Sequence, residues 1–563
     1  MKSRWLDLSW LLVVGLGSSL WCLAAAWELG ATYDEPTYLE HGLHFWRTGS
    51  HRQLMRLGTM PLPVDLQTLP LALAERWRGE PWDWDRDCER ILPWMRHGNL
   101  VFWWLLLAGG MTLGRELAGP WGGRIAATAL AFEPNLLAHA SLATTDISVS
   151  ATLLWFVIMY RRGRGGDWRA RIGWPGLWMG LALLCKASAL VFGPLAMLAV
   201  ELSRYFSEPQ ADWRGQIRSW WHDGLRIGLI AAIIVFLGCG CDFEPQGSFV
   251  QWAKALPEGP TRTAMVWIAK HLKIFGNAGE AIVAQIKHNM RGHGQYLLGA
   301  EGHRPFWYYF PTLFAIKLAV PLLIGIVVMM ASWPRAFLSN AALTIAAVYF
   351  LFSFNCRVQI GIRLQLPGVV FLIVGLSTSL VQLMSEQASY RFQWIPRLTI
   401  AASLIWLMVT SVAIWPHGLC YANELWGGAS RAYLLASDSN YDWGQGLPEL
   451  MRWHERSGQV ELDVWYFGKD PQLKRLPVRD LPLHCVPIQT FDDVRTFCWG
   501  RFLAVGTSVR YGYTLSPAHR IVNEFLNQRA PMARTQTFLI YDLTDLPPPS
   551  KSGIQATSFQ GQP

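Results

Sequence analysis

Residues 8–27, LSWLLVVGLGSSLWCLAAAW, hold no charged side chain, and Lys2 and Arg4 stand just before them. About 20 apolar residues are what an α-helix needs to cross the ~30 Å hydrocarbon layer of a bilayer. The run therefore reads as a first membrane span. Ala24, Ala25 and Ala26 also suit a cleaved signal peptide, but apolar runs recur downstream and favour the span. They occupy about 99–115, 122–140, 146–160, 173–187, 189–203, 226–241, 308–331, 340–354, 366–384 and 398–415, giving an expectation of about 11 transmembrane helices.

The composition agrees. Of 563 residues, 52% are hydrophobic and 16% charged, against roughly 25% charged in a soluble domain. Thirty-one Trp, 26 Phe and 16 Tyr exclude disorder, and 50 Gly without a three-residue period exclude a collagen-like fibre. The formal charge of +9 comes from basic residues placed between apolar runs, unlike the basic patches on polar elements of a nucleic-acid binder. Nine scattered Cys with no CxxC fit neither a zinc module nor a disulfide-dense scaffold.

Lys and Arg collect in loops that stay cytoplasmic. With the N-terminus inside, Arg161, Arg162, Arg164, Arg169 and Arg171, then Arg204, Arg214, Arg218 and Arg226, and finally Arg335, Arg391 and Arg397 all fall inside. The loops 28–98 and 242–307 and everything after 415 then lie outside. The expected organisation is a polytopic all-α membrane domain over 1–415, a small α/β extracytoplasmic domain over 416–546 and a disordered tail over 547–563. VELDVWYFG (460–468), RFLAVGTSV (501–509) and TQTFLIYDL (535–543) read as strands, whereas LPELMRWHERSG (447–458) and HRIVNEFLNQR (519–529) read as amphipathic helices. Cys485 and Cys498 are open to two readings, a disulfide or two free thiols, because spacing fixes no geometry.

Carboxylates near a membrane boundary are informative because desolvating a charge needs a function or a partner. Asp34 and Glu35 follow the first span, and Asp146 opens the fourth on the same membrane face. Asp146 alone would pass for a helix-start carboxylate, and Asp34 for a turn residue before Pro36; their shared side and depth favour chemistry. Arg363, in QIGIRLQLPG (359–368), is the leading candidate to hold a phosphate, with Arg291, His293 and Lys317 beside it; snorkelling to lipid headgroups is the plain alternative for Arg363 and Lys317. Lys186 is a possible structural or headgroup contact. His139 and His293 lack carboxylate or Cys neighbours at metal-ligand spacing, so no metal is expected. Asp438, Asn440, Asp442, Trp443 and Gln445 read as a capped turn, with a saccharide cleft as the alternative.

The blocks YDEPTYLEHGLHFW (33–46) and FEPNLLAHASLATTD (132–146) resemble the dolichyl-phosphate-mannose protein mannosyltransferase superfamily, glycosyltransferase family 39 and its bacterial polyprenyl-phosphate-dependent relatives. GHGQYLLGAEGHRPFWYYFPTLFAIKLAVPLL (292–323), QIGIRLQLPG (359–368), PHGLCYANELWGG (416–428), SDSNYDWGQGL (437–447) and YFGKDP (466–471) extend the resemblance over most of the chain. It implies a C-type glycosyltransferase fold and a hexosyltransferase that moves a sugar from a polyprenyl-phosphate donor to a protein, lipid or glycan hydroxyl on the outer face of a bacterial inner membrane, with no obligatory cofactor besides that donor. Asp34 maps onto the family's reaction-centre carboxylate and would act as general base with inversion, with Asp146 as a second catalytic contact. Glu35, Tyr38 and His139 are candidates for acceptor or sugar contacts. The region MPLPVDLQTLPLALAERW (60–77) departs from the family pattern: Pro61 and Pro63 remain, but the Glu or His that many relatives carry there is missing or has become Asp65. A transporter or flippase of lipid-linked saccharides is the rival reading, but the chain shows no internal repeat of the kind such folds carry.

Overall fold

The computed structural model describes residues 2–207, 213–273, 276–386 and 394–546; the expected disordered tail, 547–563, lies outside them. Five helices are long and apolar enough to cross a membrane: Arg4–Glu28, the stretch within Trp84–Ala131, Ala189–Ser207, Arg214–Cys239 and Ile362–Ser385. A sixth is counted if Tyr309–Lys317 and Val320–Ser332, bent by 116° at residues 318–319, form one broken span. The chain is an integral membrane protein.

The expected count of 11 differs from this one for a local reason. Apolar windows that look continuous in sequence are interrupted in the backbone. The window 122–140 is cut at Phe132–Glu133, where the Glu133 carboxylate caps the short helix Pro134–Ala140 by accepting from Leu136 N at 2.8 Å. Trp174–Cys185 has only 12 residues and Ala341–Ser353 only 13. The first packs against Asp146–Gly163 and Trp213–Cys239, the second against Ala189–Ser207 and Leu366–Glu386.

Small residues set the helix spacing. A Cβ on Gly176 or Gly180 would come within 2.7 Å of Ile230 or Ile234 of the helix Trp213–Cys239, so the four-residue glycine spacing lets the two backbones close up. Several polar groups join the helices of the bundle: the Trp103 indole donates to Ser18 Oγ at 3.0 Å, Tyr349 donates to Phe192 O at 2.7 Å, and Asn340 Nδ2 donates to Thr378 and Ser379.

The C-terminal part forms a five-stranded mixed sheet in the order Arg479–Asp480, Leu462–Trp465, Phe502–Gly506, Phe538–Asp542, Ala533–Arg534. Leu462–Trp465 is parallel to both its neighbours and Phe538–Asp542 antiparallel to both of its own. Alternation decides the two faces. Trp465, Leu503, Val505, Leu539 and Tyr541 pack toward the helices Phe491–Cys498 and Pro517–Asn527, while Leu462, Val464, Ala504, Phe538 and Ile540 pack toward Leu447–Arg456. Cys485 is exposed, Cys498 is buried, and both are free thiols, which resolves that alternative against the disulfide.

Candidate active site

The first loop is pinned from two sides. Gly30 N donates to Gln445 O and Tyr33 N to Trp443 O, each at 2.9 Å, so residues 30–33 run along the segment that leads into the C-terminal sheet. From the other side Arg96, itself buried, spends all five guanidinium N–H groups: on Ala26 O and Leu29 O (2.9 and 2.7 Å), Gly30 O (2.7 Å), and bidentately on Glu35 (2.8 and 2.7 Å). Glu35 also accepts from Thr32 N and Ala143 N at 2.9 Å and from Thr32 Oγ1 at 3.0 Å. Both Glu35 oxygens are thereby occupied, so its expected contact to acceptor or sugar gives way to a positioning role. It ties the turn carrying Asp34 to the loop that leads into Asp146.

Asp34 precedes the helix Glu35–Thr48, and its side chain, 26% exposed, accepts from Arg363 Nη1 at 3.1 Å. The guanidinium lies 4.1 Å from the centroid of the Trp443 ring, held from below by a cation–π contact. Arg363 owes its position to two features. Gly361, at φ +153°, passes so close to Ser439 that a Cβ would collide with its hydroxyl, and Ile362 N donates to Asn440 Oδ1 at 3.0 Å. Asp146, fully buried at the start of Asp146–Gly163, is paired with Lys186 Nζ at 2.5 Å. His139 Nδ1 stands 3.9 Å from Asp146 Oδ2, and neither atom has a hydrogen-bond partner; Arg363 Nε is likewise buried without one. The charges of Asp34, Asp146 and Asp438 all act on Arg363. Tyr38 shares the cluster: burial and the Asp34 charge push its phenol well above the ordinary range, against Arg363.

Arg291, the last residue of the helix Gly276–Arg291, and His293 just beyond it are both exposed. His293 Nδ1 faces Gly294 O at 2.8 Å, and its charge reaches Asp438, whose carboxyl is raised by burial. Lys317 is a different case. Its ammonium is 2% exposed and donates to Leu419 O, Tyr421 O and Asn440 O at 2.8, 2.6 and 2.9 Å. All three of its N–H donors are used, so the expected phosphate contact is replaced by a clamp between the broken span and residues 419–440. Lys317→Met is expected to leave three buried carbonyls without donors and to cost about 3 kcal/mol or more. Thermal unfolding in detergent would show the loss, while the donor KM of the folded fraction stays within about twofold.

The block 438–445 is the capped turn that its composition suggests. Asp438, at φ +59°, accepts from Ser439 N at 2.6 Å, and Asp442 accepts from Gly444 N and Ser508 N at 3.1 and 3.0 Å. Burial raises the Asp442 carboxyl to about 6 despite those donors. The block has a second use that composition did not suggest, since Trp443 floors Arg363 and Asn440 orients Ile362. Asp65, in the departing first-loop region, accepts from His51 Nε2 at 2.9 Å and points to no residue of the Asp34 cluster. Among the described residues no group of three or more His, Cys, Asp or Glu is placed to hold a metal ion.

No protein-family model and no curated protein matches the chain. Solved structures do. The archaeal oligosaccharyltransferase AglB from Archaeoglobus fulgidus, in complex with an inhibitory peptide and a dolichol-phosphate, is 11% identical over 98% of this chain and 75% of that one, with a TM-score of 0.51. ArnT from Cupriavidus metallidurans, bound to undecaprenyl phosphate, is 13% identical over 95% and 98% of the two chains, with a TM-score of 0.42. Five to six long apolar helices, a folded first loop and a C-terminal sheet domain docked on it thus make up the C-type membrane glycosyltransferase fold, shared here with the archaeal oligosaccharyltransferase.

Proposed function

We propose that the chain is a glycosyltransferase that moves a sugar from a polyprenyl-phosphate donor to an acceptor hydroxyl at the face where Asp34 and Asp146 meet. The observation that carries this reading is the largely buried Asp34–Arg363 pair, open to solvent on the Asp34 side, beside three buried polar atoms without partners: Arg363 Nε, His139 Nδ1 and Asp146 Oδ2. A guanidinium fork suits a phosphate, and unpartnered acceptors and donors suit sugar hydroxyls. The fold likeness adds support, because the archaeal oligosaccharyltransferase was solved with a dolichol-phosphate.

The donor phosphate competes with Asp34 for Arg363. Once the guanidinium turns to the phosphate, the Asp34 carboxylate is released to accept the proton of the acceptor hydroxyl. The acceptor oxygen then bonds to the anomeric carbon as the bond from that carbon to the phosphate oxygen breaks. Its electron pair leaves with polyprenyl phosphate, and the configuration inverts. Lys186 holds Asp146 Oδ1 and leaves Oδ2 open, which favours binding and orienting over proton transfer as the role of Asp146. The positive-inside pattern supports placing this face and the domain 416–546 outside the cytoplasm, in a bacterial inner membrane. Protein and lipid-saccharide acceptors both fit the arrangement.

The test is a transfer assay on the full chain in bilayers with polyprenyl-phosphate sugars. Arg363→Ala is expected to raise the donor KM at least about tenfold, the scale of one charge-assisted phosphate contact. Donor turnover with unchanged kinetics would return Arg363 to lipid anchoring.

A further inference from the structure

At the opposite end of the first span, roughly 36 Å from Glu28 at 1.5 Å per residue, a cavity of about 460 Å³ opens between Arg4, Asp7, Arg115, Glu116 and Arg162. The bend in Leu100–Ala131 at Ala118 and Gly119 builds it, by folding Arg124 back onto Asp7 at 2.8 Å. Asp7 is held by Arg124 and Arg115 together, and Glu116 by Arg162 and, at 3.3 Å, Arg161. Three guanidinium groups, Arg4, Arg115 and Arg162, thus line the cavity with two carboxylates whose charge Arg124 and Arg161 also share from outside it, and among the described residues Arg4 has no anionic partner. A cavity lined by three guanidinium forks, one of them unpaired, and carrying a net positive charge calls for a multiply hydrogen-bonding anion.

The setting selects its source. Trp5, next to Arg4, and Trp121, edge-on to Trp10 of the same span, are 69% and 56% exposed, as Trp residues that meet headgroups are. From Arg4, Leu8, Leu12 and Leu16 follow at four-residue intervals on one helix face, all exposed, and give an aliphatic rail leading away from the guanidinium. We infer that this cavity binds an anionic glycerophospholipid, its phosphate on Arg4, Arg115 and Arg162 and an acyl chain along Leu8, Leu12 and Leu16. The bound lipid would brace the first span against the bent helix on the face away from Asp34.

The experiment follows the thermal midpoint of the full chain in a neutral detergent, titrated with phosphatidylglycerol, phosphatidylcholine or inorganic phosphate. Phosphatidylglycerol is expected to raise the midpoint saturably and the other two to leave it unchanged. Arg4→Gln with Arg162→Gln should require about thirtyfold more phosphatidylglycerol, about fivefold per arginine at the membrane surface. Arg4→Gln alone, an exposed side chain without an ion pair, serves if the double variant fails to fold, with a shift of about fivefold. An unchanged titration in the variants, an equal response to phosphatidylcholine, or the same rise with inorganic phosphate would each overturn the assignment.

Discussion

Asp34→Asn is expected to lower transfer turnover by about 10²–10⁴-fold, the range that one positioned general base contributes. The amide keeps the size of the carboxylate and one acceptor oxygen for Arg363, but it cannot take the proton from an attacking hydroxyl. Donor affinity should move in the other direction. In the wild type Asp34 competes for Arg363 at 3.1 Å, so removing its charge leaves the guanidinium freer to hold phosphate, and the donor Kd should stay unchanged or fall. Falling turnover with unweakened donor binding separates a base from a phosphate ligand. Steady-state transfer rates together with equilibrium binding of the lipid-linked donor give both quantities on one preparation. Full turnover by the variant would remove Asp34 as the base, and a large loss of donor binding would make it an anchor for Arg363 instead.

What could be read in advance follows the range of the interaction concerned. The spans at 8–27, 189–203 and 366–384 are legible because a run of apolar side chains is a local property; the break at Phe132–Glu133, made by the Glu133 cap on Leu136 N, and the 116° bend after Lys317, whose carbonyl accepts from Asn135 182 positions away, are not, since an apolar window weighs neither. The sheet runs at 462–465, 502–506 and 538–542 follow from alternation, whereas the two-residue edge strands carry too little pattern to be seen. Asp34, Asp146 and Arg363 stand out as charges at a membrane boundary, and the fold brings them into one electrostatic cluster. Their partners are the unreadable part. Lys186 is 40 positions from Asp146 and Arg96 is 61 from Glu35. Trp443 lies under Arg363 only because the C-terminal segment returns to the first loop. Lys317 failed as a phosphate ligand for the same reason, since its three carbonyl acceptors are more than 100 residues away.

Arg96→Leu is expected to destabilise the fold by about 3–5 kcal/mol, the cost of leaving the other half of a buried ion pair uncompensated. The loss exceeds that of an isolated pair in kind, because three carbonyls at Ala26, Leu29 and Gly30 lose their donors together with the Glu35 carboxylate. Glu35→Gln removes the charge but keeps an acceptor oxygen for Arg96 or Ala143 N, so its cost should be smaller. The two variants also differ at the active site. Freed carbonyls at 26–30 release the turn that carries Asp34, whereas Glu35→Gln leaves that turn tethered through Arg96 and perturbs mainly the link to Ala143, and with it the approach to Asp146. Thermal unfolding in detergent should therefore rank Arg96→Leu well below Glu35→Gln. Among molecules that remain folded, Arg96→Leu should lower turnover with little change in donor KM, as misplacement of a base does. A double variant, Arg96→Leu with Glu35→Leu, removes both charges and should recover part of the stability lost by Arg96→Leu alone. A double variant less stable than Arg96→Leu would show that the two residues act separately and that the pair does not hold the first loop in place.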